Sequence, residues 1–312
     1  MAFGGGFELM RDGDKEGLWT LMEQGIRVQA YTQHVPWLAT LLYKLPGMGK
    51  AAHKLINFVI TQSAARIQRG MPTTGKDLSS HLLDEGSPNP EPLDFDDYCS
   101  DAFLALVAGS DTTATVLGCT FFYLLREESV FERLRVEIDA SFPFSEGKHP
   151  HDDISRLAML PLLSAVINEA LRLQPPVPTG LQRAPEAGSG GRIAHGSFIP
   201  EDTGVYIPPY VIHRDERYFS PDPERFWPKR WLSTEKGTAL EQAAFIPFST
   251  GPMNCVGKSL ALMELRVVVA TLVQQFDMRF EDGWDQSKWE EKLEDYFVFA
   301  KGQLPVVLKL RT

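Results

Sequence analysis

Phe248-Ser-Thr-Gly-Pro-Met-Asn-Cys-Val-Gly257 sets a single cysteine, Cys255, in a loop punctuated by glycine and proline. The apolar-periodic stretch from Val256 to about Gln275 follows at once and reads as a helix. A thiol at a helix N-terminus meets unpaired backbone N–H groups and the positive end of the helix dipole, and both favour thiolate. Such a thiolate serves as a nucleophile, a redox thiol or a soft metal ligand. Without such a role, the same cysteine is a small buried hydrophobe. The rest of the chain decides among these.

The chain has 312 residues, 43% hydrophobic and 23% charged, ordinary values for a globular protein with a large core. Its 31 basic and 41 acidic residues give a net charge of −10, so no nucleic-acid partner is expected. Cys99, Cys119 and Cys255 form neither a zinc spacing nor a disulfide framework, which fits a reducing environment. The N-terminus, MAFGGGFELMRDGDKEG, lacks the basic-then-apolar order of a signal peptide. The nearest run of membrane length, Ala102 to Leu125, is broken by Ser110-Asp111-Thr112-Thr113, so no span is expected.

Outward from the cysteine loop, the organisation is mostly helical. Amphipathic runs at Leu18–Ala30 and Ala51–Gln68 are joined by a segment containing Pro and Gly, and residues 70–92 form a polar connection with one short helix. Asp94 to about Arg126 predicts a helix on the order of 45 Å long, apolar nearly all round in its middle and therefore buried. Helices follow at Val130–Ser141 and Leu157–Leu173, with His149 and His151 in a solvated loop between them; Gln174-Pro-Pro-Val-Pro178 stops the second. Short strands at Arg192–Ile199 and Gly204–Ile207 flank a turn at Pro200, and residues 208–247 are a long irregular segment. The tail predicts a hairpin of Tyr296–Ala300 with Leu304–Leu310.

Two further motifs carry chemistry. Ala108-Gly-Ser-Asp-Thr-Thr113 lies inside the long apolar helix, where Gly109 costs about 1 kcal/mol relative to Ala and a buried Asp111 needs a hydrogen-bonded partner. Hydroxyl side chains there predict a local opening that makes a cavity and a proton route. Glu169-Ala-Leu-Arg172 puts an acid and a base on one helical face in an apolar setting. A buried pair of this kind needs a third partner for the guanidinium fork, for which Arg225 in Pro223-Glu-Arg-Phe226 is the candidate.

Taken together and in this order, FSTGPMNCVG, AGSDTT, EALR and PERF followed by Trp231 resemble the motifs of the cytochrome P450 superfamily, in a fungal microsomal flavour. The resemblance implies a mainly α fold with a small β portion, the C-terminal part of the P450 fold. Residues 1–312 are then expected to be one partial domain, lacking the N-terminal membrane anchor, the first sheet and the early helices, with Met1 inside a helix of the substrate-access region. It implies a haem-thiolate monooxygenase that inserts one atom of dioxygen into a hydrophobic small molecule. The expected cofactor is haem b (iron protoporphyrin IX), the electron donor an NADPH-cytochrome reductase, and the location the cytosolic face of the endoplasmic reticulum membrane, reached only through the absent N-terminal part. A non-catalytic fragment without stable haem binding and a haem-thiolate isomerase or peroxygenase are the alternatives.

The same resemblance distributes roles. Cys255 is the axial ligand of the iron, a ligation that favours O–O cleavage; Phe248 packs near the sulfur and Gly257 lets the backbone approach the porphyrin. Asp111 and Thr112 line the distal side, with Thr112 toward dioxygen and Asp111 toward a proton relay, while Ala108 and Gly109 leave space for substrate. Glu169, Arg172 and Arg225 form a buried structural triad, and Arg183 holds a haem propionate. Val177, Pro178, Phe297 and Val298 contact substrate. One departure stands out: Met253 occupies a position where the family usually has a propionate-binding base, a loss worth about 1.5–3 kcal/mol unless Arg183 compensates.

Overall fold

A computed structural model describes residues 9–14, 17–32, 35–44, 50–73, 75–232 and 240–311. The start of the chain, which the resemblance puts in a substrate-access helix, lies outside the described residues. Contacts divide the chain into two compact units, residues 1–111 and 112–312.

In the first unit, helices α1 (Leu9–Asp12), α2 (Leu18–Thr32), α3 (Pro36–Lys44), α4 (Lys50–Arg69) and α5 (Leu78–Leu82) precede the first half of α6 (Phe95–Arg126). The amphipathic runs at 18–30 and 51–68 are therefore helices, and α3 occupies part of the Pro- and Gly-containing segment that joins them. Val59, Tyr98 and Ala102 form one small core, Met22 and Leu55 another. A polar clamp supplements these small cores. The Arg66 guanidinium, 1% exposed, donates to Asp77 at 2.7 and 2.9 Å and to Glu85 at 2.7 and 3.2 Å. Asp77 also caps α5 by accepting the Ser80 N–H. Burial alone raises the Asp77 carboxyl, but the hydrogen bonds from Arg66 and Ser80 outweigh it and bring the pKa down to about 2.

The second unit holds the rest of α6, then α7 (Glu128–Ser141), α8 (Ile154–Ala158), α9 (Pro161–Leu173), α10 (Pro209–Ile212) and α11 (Lys258–Gln275). The helix expected over 157–173 begins only at Pro161, whose ring cannot continue α8 but suits a first helical position. Glu137 of α7 caps it, accepting the Leu162 and Leu163 N–H groups at 2.9 Å each. One large core gathers Phe122 and Leu124 of α6, Leu134 and Ile138 of α7, Leu163 and Val166 of α9, and Val269 and Val273 of α11.

The β portion is small. β1 (Arg192–Ala194) and β2 (Ser197–Ile199) form an antiparallel hairpin, so the expected first strand is itself folded in two; Val205 makes only an isolated bridge with Arg183. β3 (Phe276–Phe280) pairs antiparallel with β6 (Val306–Leu310), and β4 (Glu294–Tyr296) with β5 (Val298–Ala300). The tail hairpin expected between 296–300 and 304–310 is thus incorrect. The tight turn is at Phe297, and the last strand instead returns to the segment leaving α11. Alternation identifies a strand but not its partner.

Helix α6 runs unbroken through Ala108–Thr113, contrary to the expected opening; the Ser110 hydroxyl bonds back to the Leu106 carbonyl at 2.8 Å without interrupting the ladder. Its burial is uneven. Thr115, Val116, Cys119, Thr120, Phe122 and Leu124 are buried, whereas Ala108 and Gly109 are exposed. α6 has the length and composition to cross a membrane despite its polar break, but its second half belongs to the core of the second unit.

Candidate functional site

The cysteine loop leaves the core at Phe248, which packs against the large cluster, and turns through Ser249 and Gly251, both at positive φ (61° and 81°). It closes where the Cys255 N–H donates to the Phe248 carbonyl at 2.9 Å. Cys255 is a free, exposed thiol three residues before α11, whose N-cap is Gly257. A Cβ on Gly257 would stand 3.8 Å from Sγ, in ordinary contact, so the glycine keeps the sulfur accessible rather than preventing a clash. Met253 (74% exposed) and Val256 (fully exposed) flank the thiol, an apolar surface around a soft ligand atom.

Arg183 reaches this loop from the chain that follows the proline segment. Its Nη2 donates to Ser249 Oγ at 3.1 Å and lies 3.5 Å from the Met253 carbonyl. A guanidinium therefore stands at the backbone of the residue whose side chain lacks the usual charge. Cys255, Phe248, Gly257 and Arg183 are brought together.

Behind the loop, Glu169 is fully buried and accepts five hydrogen bonds. They come from Arg172 Nε and Nη2 (2.9 Å each), the Trp227 N–H (2.9 Å), Arg230 Nε (3.0 Å) and Trp231 Nε1 (2.8 Å). The third member of the triad is Arg230, not Arg225. The Arg225 side chain is exposed and only its carbonyl takes part, accepting from Arg172 Nη2 at 3.2 Å. The reason is local geometry: Pro223 and Phe226 turn inward and leave Arg225 outside, while a 3₁₀ turn at Pro228–Trp231 carries Arg230 and Trp231 onto α9. The remaining guanidinium N–H groups donate to carbonyls, Arg172 to His213 and Pro223, Arg230 to Phe219, Pro221 and Asp222.

His213 belongs to none of the motifs in the sequence. It is fully buried, its Nε2 accepts the Ile246 N–H at 2.9 Å, and its Nδ1 faces the Arg172 carbonyl at 3.1 Å. The ring is thus neutral, with its proton on Nδ1, and it connects the triad to the strand-like entry of the cysteine loop. Its one sequence signal is position, a histidine amid the irregular segment right after an apolar turn. Burial pushes its pKa from 6.5 down to about 3. Because the unfolded chain takes up the proton first, stability is complete above pH 6.5 and falls as pH drops toward 3. We expect urea unfolding to show a loss of about 1.4 kcal/mol per pH unit between pH 6.5 and 5, where carboxylates stay ionised. His213→Asn should flatten that slope; an unchanged slope shows that His213 is not its source.

The expected substrate-facing residues also meet. The Phe299 N–H donates to the Pro176 carbonyl at 3.0 Å, which sets the β4–β5 hairpin, with Phe297 and Val298, beside Val177 and Pro178. Gly180 must be glycine here: at φ +78°, a Cβ would come 2.8 Å from the Ile207 carbonyl. On α6, Asp111 and Thr112 are half-buried, and a Cβ built on Gly109 meets no heavy atom within 4 Å.

Known proteins share the fold. The family profile "Cytochrome P450" matches residues 1–309. Cytochrome P450 monooxygenase nodW of Hypoxylon pulicicidum is 38% identical over 91% of this chain and 50% of its own length. Tryprostatin B 6-hydroxylase of Aspergillus fumigatus is 36% identical over 88% of this chain and 48% of its own. A zebra fish cytochrome P450 solved with abiraterone superposes with a TM-score of 0.77 at 24% identity, covering 99% of this chain and 68% of that one. The chain belongs to the cytochrome P450 family, and the fold is that of its solved members. It spans about half the length of the curated relatives it matches. Membership implies a haem cofactor.

Proposed function

We propose that the protein is a haem-thiolate monooxygenase that inserts one atom of dioxygen into a hydrophobic small organic molecule, using haem b and electrons from an NADPH-dependent reductase. One observation carries this reading: an exposed free thiol stands at the end of a closed loop, between apolar side chains and beside a guanidinium. That donor set fits an iron porphyrin: Cys255 would ligate the iron through its thiolate, Val256 and Met253 would give it apolar contact, and Arg183 would pair with a propionate. A relative named for hydroxylating tryprostatin B supports hydroxylation as the reaction. The same reading places the full protein at the endoplasmic reticulum membrane.

When bound, the haem supplies activation of dioxygen. The chain's own residues do the rest. Phe248 and the backbone of the loop keep the sulfur in one orientation, and the donors at the α11 N-terminus temper its basicity. Asp111 feeds the proton relay, and Thr112, the next residue on α6, offers its hydroxyl as a hydrogen-bonding group. Ala108 and Gly109 leave room for substrate, and Val177, Pro178, Phe297 and Val298 bind its apolar surface and exclude water. Glu169, Arg172 and Arg230 take no part in the chemistry; they hold the scaffold behind the cysteine loop.

The test is the spectrum of the haem-reconstituted chain, reduced and exposed to carbon monoxide. The expected result is the red-shifted Soret band of thiolate ligation, lost in Cys255→Ala. An equally strong band in the alanine variant, or none in either chain, overturns the assignment. Turnover that requires reductase and NADPH, rather than peroxide alone, separates a monooxygenase from a peroxygenase.

A further inference from the structure

We propose that Lys301 is a positioning residue that sets substrate orientation, by clasping the β4–β5 hairpin to the central helix one turn beyond Thr112. The inference rests on the monooxygenase reading and names a determinant of specificity within it.

Residues 286–302 lie along the second half of α6 and are fastened at several points. Trp289 stacks on Phe122 with ring centroids 4.3 Å apart, and Glu290 accepts from the Tyr123 hydroxyl at 2.6 Å and from Arg126 at 2.9 Å. These contacts anchor the start of the segment. At its far end, in the turn after β5, Lys301 reaches α6: Nζ donates to Thr115 Oγ1 at 3.1 Å. Thr115 is fully buried, and its hydroxyl also faces the Phe299 carbonyl at 3.4 Å. The lysine stem lies across α6 at Gly118, where an added Cβ would come 3.4 Å from Lys301 Cδ. Thr112, Thr115 and Gly118 recur every three residues, so the clasp and the proposed proton-handling hydroxyl share a helical face.

Between these anchors sits the hairpin tip. Phe297 has φ +75°, a left-handed conformation that bulky residues rarely adopt. Asp295 holds it there, accepting the Phe297 N–H at 2.9 Å through Oδ1 and the Thr179 hydroxyl through Oδ2. Asp295 thus ties the tip to the proline segment, while Lys301 ties the same hairpin to α6. With both in place, Phe297 and Val298 have one position relative to Thr112. Without the lysine, the hairpin keeps its ties to the proline segment but loses this bond to α6, and the tip can shift relative to Thr112, a bound molecule with it.

Lys301→Met keeps the stem over Gly118 and removes the donor; Thr115→Val removes the acceptor; Lys301→Arg restores a donor. In the haem-free chain, amide exchange at residues 296–300 should rise at least tenfold in the first two variants and return toward the parent in the third. In the haem-loaded protein, imidazole should bind with unchanged Kd, while the ratio of Kd values for 4-phenylimidazole and imidazole shifts at least fivefold in the first two variants only. Faster exchange with an unchanged ratio overturns the specificity role, and unchanged exchange overturns the clasp. A parent chain that shows no thiolate-type spectrum defeats the haem reading instead, and the exchange result then still decides the clasp.

Discussion

Glu169→Ala should destabilise the second unit by about 3–5 kcal/mol, the range for breaking a buried ion pair from one side. The substitution leaves two buried guanidiniums, the Trp227 N–H and the Trp231 indole without their common acceptor. Each buried donor left unpaired adds its own desolvation penalty. Urea unfolding followed by tryptophan fluorescence reads the loss directly, since Trp227 and Trp231 both touch the carboxylate. The contrast with two arginine variants tests the assignment of the triad. Arg230→Ala should approach the glutamate variant, whereas Arg225→Ala should stay within about 0.5 kcal/mol of the parent, as for other exposed side chains. A large loss at Arg225 would falsify the geometry described above.

Asp111→Asn should lower product formation by about 10²-fold, the lower end of what a positioned acid or base contributes. The amide keeps the size of the carboxyl group and one acceptor oxygen but cannot take up and release a proton. Haem content and the carbon monoxide spectrum should therefore match the parent, and Asp111→Glu should recover part of the rate. The measurement is the rate of product formation, with NADPH and a reductase supplied in excess. A variant that turns over at the parental rate removes Asp111 from the proton route, and one that loses the spectrum shows a structural role instead.

The long helices were legible, because 3.6-residue periodicity and proline stops are local properties: α4, α6, α7 and α11 lie within a few residues of their expected bounds, whereas the short α8 and α10 were not foreseen. The cysteine loop was equally legible, since Gly251, Pro252 and Gly257 impose turns whatever surrounds them. What local pattern does not carry is partnership. Val306–Leu310 reads as a strand, yet nothing in its own residues says that it pairs with β3 rather than with β5. Arg225 and Arg230 are five residues apart in one polar, proline-rich stretch, and only the 3₁₀ turn at Pro228 decides which of them faces Glu169. His213 escaped notice for the same reason, because its role depends on Arg172 and Ile246, each more than thirty residues away.

The two triad arginines imply an order of events during folding. Between His213 and Asp222–Arg225, the chain has neither a long helix nor a partner strand, and its carbonyls are taken up by guanidinium groups of Arg172 and Arg230. Side chains here do the work that a neighbouring β-strand does elsewhere. The carbonyls of this meander that Arg172 takes up lie 41 to 53 residues from it in sequence, so they gain that partner only once α9 is in place. Contacts of that separation must overcome loop-closure entropy that local helix turns do not. The scaffold behind the cysteine loop should be among the last parts of the second unit to become protected from solvent exchange, after α9 and α11 have docked.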